Sequence, residues 1–417
     1  MATTAPSALP PSERIVTLDI LRGFALMGIL IMNMPGFSSS WFAEADGSHL
    51  WPGPLDQLAE QARDMLFSGK FNGMFSLLFG LGFTIQFTRM QQQDPLHAST
   101  LYLRRLGVLF ALGVIHAFVF WPGDILHMYA LLGLVMVFGL RHAGDRTLLW
   151  LMVACLAFPT AAGVLRLLYM TPEVVAAQVA EAKLLDLASN AAYGQGSLAQ
   201  TAAMSTRIMI HPFTQAWYLL GMVGGYATIG MTMLIGIYAG RKDWARRIPD
   251  LMPQVRRWMW WALLLGLACG AVFTIIFELN RAPGPSAIKM LGGLCYRLSR
   301  LALMVFYVLA IVRLAQLPVW QKRLAPLAAA GRMPLSNYLM QTAICITLFY
   351  GWGVGLWGQI GPAMGLLLAL VIFWVVQVPW SLWWLRSHDR GPLEALWARL
   401  TYGRRGAVAG VKGVRAV

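Results

Sequence analysis

The stretch Ile15–Gly36, with the sequence IVTLDILRGFALMGILIMNMPG, determines how the rest of the chain must be interpreted. Most of its residues are apolar, and roughly 20 such residues are enough to cross about 30 Å of hydrocarbon as an α-helix. Asp19 and Arg22 interrupt the apolar run near its start, and no small-residue cleavage site follows Gly36. We therefore expect a retained membrane helix here and not a secretory signal.

Nine further stretches have a similar apolar character. A span must satisfy its backbone polar groups internally, so each is predicted to be a helix, and the fold class is an all-α polytopic transmembrane helix bundle. The ten predicted spans are Ile15–Gly36, Asp64–Phe87, Tyr102–Phe120, Ile125–Leu140, Leu148–Met170, Phe213–Tyr238, Trp258–Glu278, Ile288–Leu314, Ala325–Tyr350 and Ile360–Leu385.

The composition agrees with this interpretation. Of the 417 residues, 58% are hydrophobic and only 12% are charged, whereas water-soluble proteins carry about 25% charged residues. The same percentages exclude a disordered chain. We attribute the net charge of +15 to membrane topology and expect no nucleic-acid partner. The four cysteines lie in apolar stretches without metal-ligand spacing, so neither disulfides nor a metal site is expected.

The distribution of basic residues predicts the orientation. Lys and Arg collect in the loops after even-numbered spans and in the C-terminal tail, as cytoplasmic segments do, so both termini are predicted to be cytoplasmic. We expect a disordered N-terminal tail over residues 1–13 and a single transmembrane domain over residues 14–401. An external segment is predicted over about residues 171–211, in which Pro172–Leu187 is either a helix lying at the surface or a solvated connector. A basic C-terminal tail is predicted over residues 402–417.

Two predicted spans share one arrangement of polar residues. Arg22 precedes Asn33 by eleven residues in the first span, and Arg105 precedes His116 by eleven in the third. Eleven residues make about three helical turns, so each pair lies on one stripe with its ends about 16 Å apart. The two stripes predict a polar path across the membrane. The alternative is that each arginine only extends its side chain to the cytoplasmic headgroups.

His116 and Asp124 are the candidate catalytic residues. Asp124 lies just beyond the turn after span 3, where it can hydrogen-bond His116 and raise the basicity of the imidazole. A sufficient structural alternative is that Asp124 caps the next helix. Asn33 and Lys70 are predicted to lie at the same depth, which would gather four polar groups from four spans into one site.

Two further groups of polar residues lie within or beside predicted spans. Arg297 and Arg300 are three residues apart in span 8, and two cations on one helix face predict an anionic partner or ligand.

The other group is predicted to be a structural polar cluster, in which Asp19 neutralises Arg22 and amides such as Asn337 and Gln341 join helices. Its members are Asp19, Arg332, Ser336, Asn337, Tyr338 and Gln341.

Several motifs resemble those of the YeiB-type bacterial membrane proteins, a family labelled as a domain of unknown function (DUF418). They include Leu18-Asp19-Ile20-Leu21-Arg22-Gly23, Gly69-Lys70-Phe71, Gly123-Asp124-Ile125-Leu126, Gly331-Arg332-Met333 and Gly391-Pro392-Leu393-Glu394, and the resemblance extends over nearly the whole chain. It implies a multi-pass protein of the bacterial plasma (inner) membrane. The Leu-Asp-x-x-Arg-Gly opening is also distantly similar to transmembrane acyltransferases, which move an acyl group from cytoplasmic acyl-CoA to a sugar on the far side. Where some of those enzymes carry a histidine, this chain has Asn33, so that base does not transfer.

The resulting hypothesis is a transmembrane acyltransferase. His116 would be the general base oriented by Asp124, and Asn33 and Lys70 would stabilise the oxyanion. The phosphates of acyl-CoA, a co-substrate and not a bound cofactor, would be held by Arg22, Arg105, Arg297 and Arg300. Expected partners are membrane lipids and an envelope glycan or lipid acceptor. The alternatives are a transporter for an anionic or amphipathic solute and a non-catalytic membrane scaffold.

Overall fold

The computed structural model describes residues 15–408, and the regular structure within that range is entirely helical. Residues 1–13 and the last part of the predicted C-terminal tail lie outside it. The helices are α1 (Val16–Ser38), α2 (Pro54–Leu66), α3 (Lys70–Gln93), α4 (Ala98–Ile115), α5 (Leu126–Val135), α6 (Asp145–Tyr169), α7 (Pro172–Gln195), α8 (Leu198–Ile210), α9 (Ala216–Arg241), α10 (Met252–Leu279), α11 (Ala287–Leu314), α12 (Pro318–Gly331), α13 (Pro334–Phe349), α14 (Pro362–Val371), α15 (Val378–Trp384) and α16 (Pro392–Val408). Wider π-helical turns occur at His116–Phe120, Met136–Leu140 and Ile372–Gln377.

Seven helical segments in the described chain are long and apolar enough to cross a membrane. They are Val16–Ser38, Ala98–Phe120, Asp145–Tyr169, Ala216–Arg241, Met252–Leu279, Ala287–Leu314 and Pro362–Trp384. Each corresponds to a span predicted from the sequence, and together they describe a multi-pass membrane protein. The other three predicted spans contain α3, the Leu126–Leu140 helix and α13, which are less apolar or shorter. The total of ten spans and the direction of the termini stay predictions.

Two predicted spans have different boundaries in the structure. The second does not begin at Asp64, because Gly69 adopts a left-handed conformation (φ +75°) that separates α2 from α3. The ninth is interrupted between α12 and α13, where Pro334 starts the new helix and lacks the N–H that a continuous helix would need.

The segment over residues 171–211, which the sequence predicts to be external, is more helical than expected. It contains α7 and α8 instead of a single surface helix over Pro172–Leu187. Ser197 begins α8 with a reciprocal capping box, in which its hydroxyl accepts from the Gln200 amide and the Gln200 side chain accepts from the Ser197 amide. α8 packs against the π-helical turn at His116–Phe120, so this segment covers part of the bundle.

Helix α1 lies at the centre of the bundle, where it packs against α12, α13, α14 and α3. Its approach to α12 is close enough to require glycine on both helices. A Cβ atom on Gly331 would lie 1.8 Å from the Asp19 carbonyl oxygen, and one on Gly23 would lie 1.9 Å from that of Leu327. This crossing places Arg22 and Arg332 at the same end of the bundle.

Contacts between connecting segments define two ends. At one end Arg241 donates to the carbonyl of Leu140, and at the other Arg281 donates to that of Gly47. We call the first the basic end, because the Arg- and Lys-rich loops lie there, and the second the far end. The basic end comprises residues 94–97, 141–144, 242–251, 315–317 and 385–391, and the far end comprises residues 39–53, 196–197, 211–215, 280–286 and 350–361.

Candidate functional site

The buried pair His116 and Asp124 forms the centre of the candidate site. His116 Nδ1 lies 2.7 Å from Asp124 Oδ1, and the two residues are only 3% and 4% exposed. The other carboxylate oxygen, Oδ2, accepts from the His127 backbone amide at 2.9 Å and lies 2.7 Å from His127 Nδ1. Asp124 therefore both binds His116 and caps the following helix, one oxygen for each.

The local sequence explains how this pair forms. The chain leaves α4 through the π-helical turn that begins at His116, and the Trp121 amide closes that turn on the His116 carbonyl. Gly113 lets α4 approach the start of α5, because a Cβ atom there would lie 2.3 Å from the His127 nitrogen. The close approach of the two helices places the Asp124 carboxylate beside the imidazole.

The second ring nitrogen of His116 faces α13. Nε2 lies 2.9 Å from the Thr342 hydroxyl oxygen. Because the Asp124 carboxylate accepts only, Nδ1 carries the proton, and in the neutral imidazole Nε2 therefore accepts from Thr342. Asp124, His116 and Thr342 thus form a continuous chain of carboxylate, imidazole and hydroxyl.

Tyr338 lies one turn before Thr342 and packs its ring 5.3 Å from that of His116, centroid to centroid. Its hydroxyl is buried near the Asp124 carboxylate and faces the Ile125 backbone amide, which does not reach full hydrogen-bond geometry. A buried hydroxyl without a partner costs stability, so it marks a position available to a ligand or a reacting group.

A cavity of about 330 Å³ extends from the basic end to this site. We call it the basic-end cavity. Tyr338, Tyr129 and Ile125 line its inner part, and His116 lies behind Tyr338. The mouth is lined by charged residues from four helices and two loops, namely Asp19, Arg22, Arg89, Arg105, Arg332, Asp389, Arg390 and Glu394. Its size and mixed lining are those of a small-molecule site.

Arg22 and Arg105 are both part of this cavity, as expected from their stripes. Arg22 Nη1 donates to Asp19 Oδ1 at 2.8 Å, which is the predicted neutralising pair. The Arg105 guanidinium stacks 3.7 Å from the centre of the Trp397 ring, and the Trp397 indole donates back to the Arg105 carbonyl. A stacked guanidinium keeps its N–H donors free for an anion.

The structure directs the Lys70 side chain away from the His116 pair and toward α11. The Lys70 ammonium is buried and donates to the Asp64 carbonyl at 2.7 Å, with the Tyr296 ring nearby. Asn33 has no side-chain hydrogen bond with the described residues. Lys70 opens α3 directly after the left-handed Gly69 and lies beside α11 instead of contacting the His116 pair, whereas a place for Asn33 in the site stays a prediction.

Arg297 and Arg300 also lie away from Arg22 and Arg105. They line a small pocket beside Gly69 and Gly73, and Arg297 reaches a larger cavity at the far end. Arg22 and Arg105 therefore line one cavity, whereas Arg297 and Arg300 line others, and none of these cavities holds all four arginines. Arg297 and Arg300 lie in the half of α11 that is nearer the far end, whereas Arg22 lies in the part of α1 that is nearer the basic end.

Part of the predicted polar cluster joins helices. Asn337 donates to Ser381, and Gln341 donates both to the Leu26 carbonyl and to Gln377. Ser336 donates to the buried Glu394 carboxylate. The remaining members, Asp19, Arg332 and Tyr338, line the basic-end cavity instead.

His127, Thr342 and Trp397 belong to the site but were not predicted. For His127 a signal was present, since an Asp followed three residues later by a His at a helix start brings the two side chains together. Thr342 shares a helix face with Tyr338 at i, i+4, but its contact with His116 joins residues 226 apart in the sequence. Local patterns cannot predict such a contact.

One group of described residues has metal-ligand geometry, although no metal was expected. Glu44, His49 and Glu60 at the far end bring their ligand atoms within 4.8 Å of one another. Both carboxylates already pair with arginines, Glu44 with Arg281 and Glu60 with Arg63. Since these ion pairs satisfy the carboxylates, we assign no metal here.

The fold and site define a class: a multi-pass helical membrane protein with a buried His–Asp pair behind a cavity whose mouth is lined by charged residues of both signs. Comparison with known proteins then identifies the family. The family model "Protein of unknown function (DUF418)" matches residues 239–404. The chain is 30% identical to the uncharacterized protein YxaH of Bacillus subtilis (strain 168) over 95% of this chain and 97% of that protein. It is 29% identical to the uncharacterized protein YeiB of Escherichia coli (strain K12), over 93% and 96%.

A further relative is the uncharacterized 39.9 kDa protein in the amylase 3′ region of Bacillus acidopullulyticus, with 29% identity over 94% of this chain and 95% of that protein. The chain belongs to the YeiB-like DUF418 family, as the motifs indicated. The names of these relatives give no activity, so function must be argued from the site.

Proposed function

We propose that this protein is a transmembrane acyltransferase of the bacterial plasma membrane. It takes an acyl group from acyl-CoA at the basic end, which is the cytoplasmic face, and transfers it to a hydroxyl or amine of an envelope glycan or lipid. The observation that carries the proposal is the basic-end cavity, which has cations at its mouth and the Asp124–His116–Thr342 chain beyond its inner wall.

The cavity fits one part of the donor. Its volume of about 330 Å³ is near the lower end of the range for ligand sites, roughly 300–1,000 Å³. That volume suits the pantetheine arm and a short acyl chain, while the nucleotide stays at the mouth. There Arg22 and Arg105 hold phosphate oxygens by charge-assisted hydrogen bonds.

The reaction uses His116 as the general base. The acceptor hydroxyl displaces Thr342 from Nε2 and gives its proton to that nitrogen, while its oxygen attacks the thioester carbonyl carbon. The C–S bond breaks, and the CoA thiolate leaves and takes the proton from the imidazolium. Asp124 holds Nδ1–H throughout and stabilises the transient positive charge.

Tyr338 replaces Asn33 and Lys70 as the proposed oxyanion donor. Its hydroxyl is buried without a hydrogen bond and lies between the cavity and the imidazole. A donor that is already in place costs no reorganisation when negative charge develops on the carbonyl oxygen. Rotation of its ring would also open the path from the cavity to His116.

Labelled acyl transfer tests the proposal directly. Inside-out membrane vesicles containing the wild-type protein receive acetyl-CoA labelled in the acetyl group, and label is counted in the lipid and glycan fractions. We expect transfer to fall at least about 100-fold in His116→Ala, since general base catalysis contributes about 10²–10⁴-fold. His97→Ala is the matched control, because His97 also binds an aspartate, Asp94, but is exposed.

Calorimetry on the purified protein tests the donor site separately. Acetyl-CoA is expected to bind wild type saturably and to bind Arg22→Ala at least about tenfold more weakly. Arg141→Ala, an exposed arginine at the basic end that does not line the cavity, is expected to leave binding unchanged. Unchanged transfer by a folded His116→Ala variant would exclude His116 as the base.

A transporter for an anionic or amphipathic solute is the second candidate. The break between α12 and α13 favours it, because discontinuous helices line the sites of many transporters. It predicts uptake or efflux of solute by proteoliposomes without any covalent product. Label recovered only as intact acyl-CoA on the other side of the membrane would select this function.

A further inference from the structure

A second cavity, of about 420 Å³, lies at the far end between α6, α7, α11 and the 283–286 loop. We call it the far cavity. It shares no lining residue with the basic-end cavity, and the proposed donor site does not include it. It therefore requires its own explanation.

The charges along the far cavity have one sign. Arg166, Lys289 and Arg297 line it, and its lining includes no carboxylate. None of the three has an acidic partner within salt-bridge distance among residues 15–408. Glu181 lies behind the wall, and its oxygens accept from Gln215 and Tyr218 and contact His211.

The arginines keep donors unused. Arg297 gives one N–H to the Thr160 hydroxyl at 2.8 Å, but its buried Nε has no hydrogen-bond partner in the described chain. The buried Nε of Arg300, one helical turn further along α11, also has no hydrogen-bond partner in the described chain. Its Nη2 donates to the Gly69 carbonyl at 3.4 Å. Unpaired buried donors in a membrane-embedded region are costly, so the two arginines are expected to be balanced by an anion. Lys289 already donates to the Ala282 and Gly284 carbonyls and adds positive charge at the edge of the cavity.

The remaining wall of the far cavity is apolar. Pro159, Met170, Val175, Val179 and Met290 line it beside the cations. A free inorganic ion would leave this apolar surface uncovered, whereas a molecule with a charged head and an apolar body would contact both kinds of surface.

We propose that the far cavity binds a phosphate ester with an apolar body, with its phosphate oxygens held by Arg297, Lys289 and Arg166. Three cations around one site match the charge and the several acceptor oxygens of a phosphate, and arginine binds phosphate through paired N–H donors. The ligand is either an anionic phospholipid of the surrounding leaflet or a soluble phosphate ester that enters from the far end.

Native mass spectrometry of the purified full-length protein tests this site. The protein is titrated with 1-palmitoyl-2-oleoyl-phosphatidylglycerol, and with the phosphatidylcholine of the same chains as the zwitterionic comparison. We expect saturable binding of the anionic lipid and at least about tenfold weaker binding to Arg297→Gln and to Lys289→Gln. Arg207→Gln is the control, because Arg207 is an exposed cation of α8 that does not line the cavity.

Competition distinguishes the two sources of the phosphate. Displacement of the lipid by millimolar phenyl phosphate, a soluble ester with an apolar body, would assign the site to a soluble ester, and resistance to displacement would assign it to the lipid. Equal binding of both lipids, or wild-type affinity in a folded Lys289→Gln variant, would overturn the proposal. Lys289 is partly exposed near the start of α11, so its variant gives a result even where Arg297→Gln fails to fold. The measurement does not depend on acyl transfer.

Discussion

Asp124→Asn is the change that most directly tests the energetic role of the buried pair. The Asp124 carboxylate makes three short contacts, to His116 Nδ1 at 2.7 Å, to the His127 amide at 2.9 Å and to His127 Nδ1 at 2.7 Å. The side chain of Asp124 is fully buried, so water cannot replace any of these contacts. Asparagine keeps one acceptor oxygen, but its NH₂ group must face a donor on one of the two histidines.

The expected loss follows from these contacts. A hydrogen bond to a charged group contributes about 1.5–3 kcal/mol and a neutral one about 0.5–1.5 kcal/mol, so each of three bonds weakens by about 1 kcal/mol. Removing the buried charge recovers part of its desolvation cost. We therefore expect Asp124→Asn to lower the free energy of unfolding by about 2 kcal/mol and to abolish the proposed acyl transfer, since His116 loses the partner that fixes its tautomer.

Asp94→Asn supplies a matched control. Asp94 binds the amide and ring of His97 with the same spacing of three residues, but this pair is exposed to solvent. Thermal unfolding of both variants in detergent is followed by tryptophan fluorescence. The melting temperature of Asp124→Asn should be lower than that of wild type, whereas the melting temperature of Asp94→Asn should be unchanged. Equal melting temperatures for Asp124→Asn and wild type would refute the reasoning that burial makes these bonds important.

Three further changes have distinct expected outcomes. Tyr338→Phe removes a buried hydroxyl without a partner, so the melting temperature should rise while labelled transfer falls; a lower melting temperature would mean that the hydroxyl is bonded within the protein. Burial raises the pKa of the Glu394 carboxyl above 4.5, so between pH 4.5 and the pKa of the folded protein the folded state binds more protons than the unfolded state. The melting temperature of wild type should therefore fall as the pH rises from 4.5 through that range. Glu394→Gln has no carboxyl to titrate, so its melting temperature should not show this fall. Gly331→Ala would place a Cβ atom 1.8 Å from the Asp19 carbonyl and should prevent recovery of monodisperse protein, while Gly82→Ala, with nothing within 4 Å, should be purified normally on size exclusion.

The sequence was sufficient for the class of protein and for contacts within short segments. Runs of apolar residues predicted the helices, because a membrane leaves no other way to satisfy the backbone. Spacings of three and eight residues placed Arg22 beside Asp19 and Asp124 beside His116. These contacts depend on helix geometry or on one tight turn, which a sequence pattern can express.

The assembly of the site depended on the tertiary structure. Thr342 reaches His116 across 226 residues of sequence, and Lys70, which opens α3 after the left-handed Gly69, contacts Tyr296 instead of the His116–Asp124 pair. Of the arginines predicted to share one anion, Arg22 and Arg105 line the basic-end cavity, whereas Arg297 lines the far cavity and Arg300 a small pocket beside Gly69. The sequence determines which helices form and which faces are polar. Only packing decides which faces meet, because the rotation and axial position of each helix depend on contacts with distant neighbours such as the glycine crossing of α1 and α12.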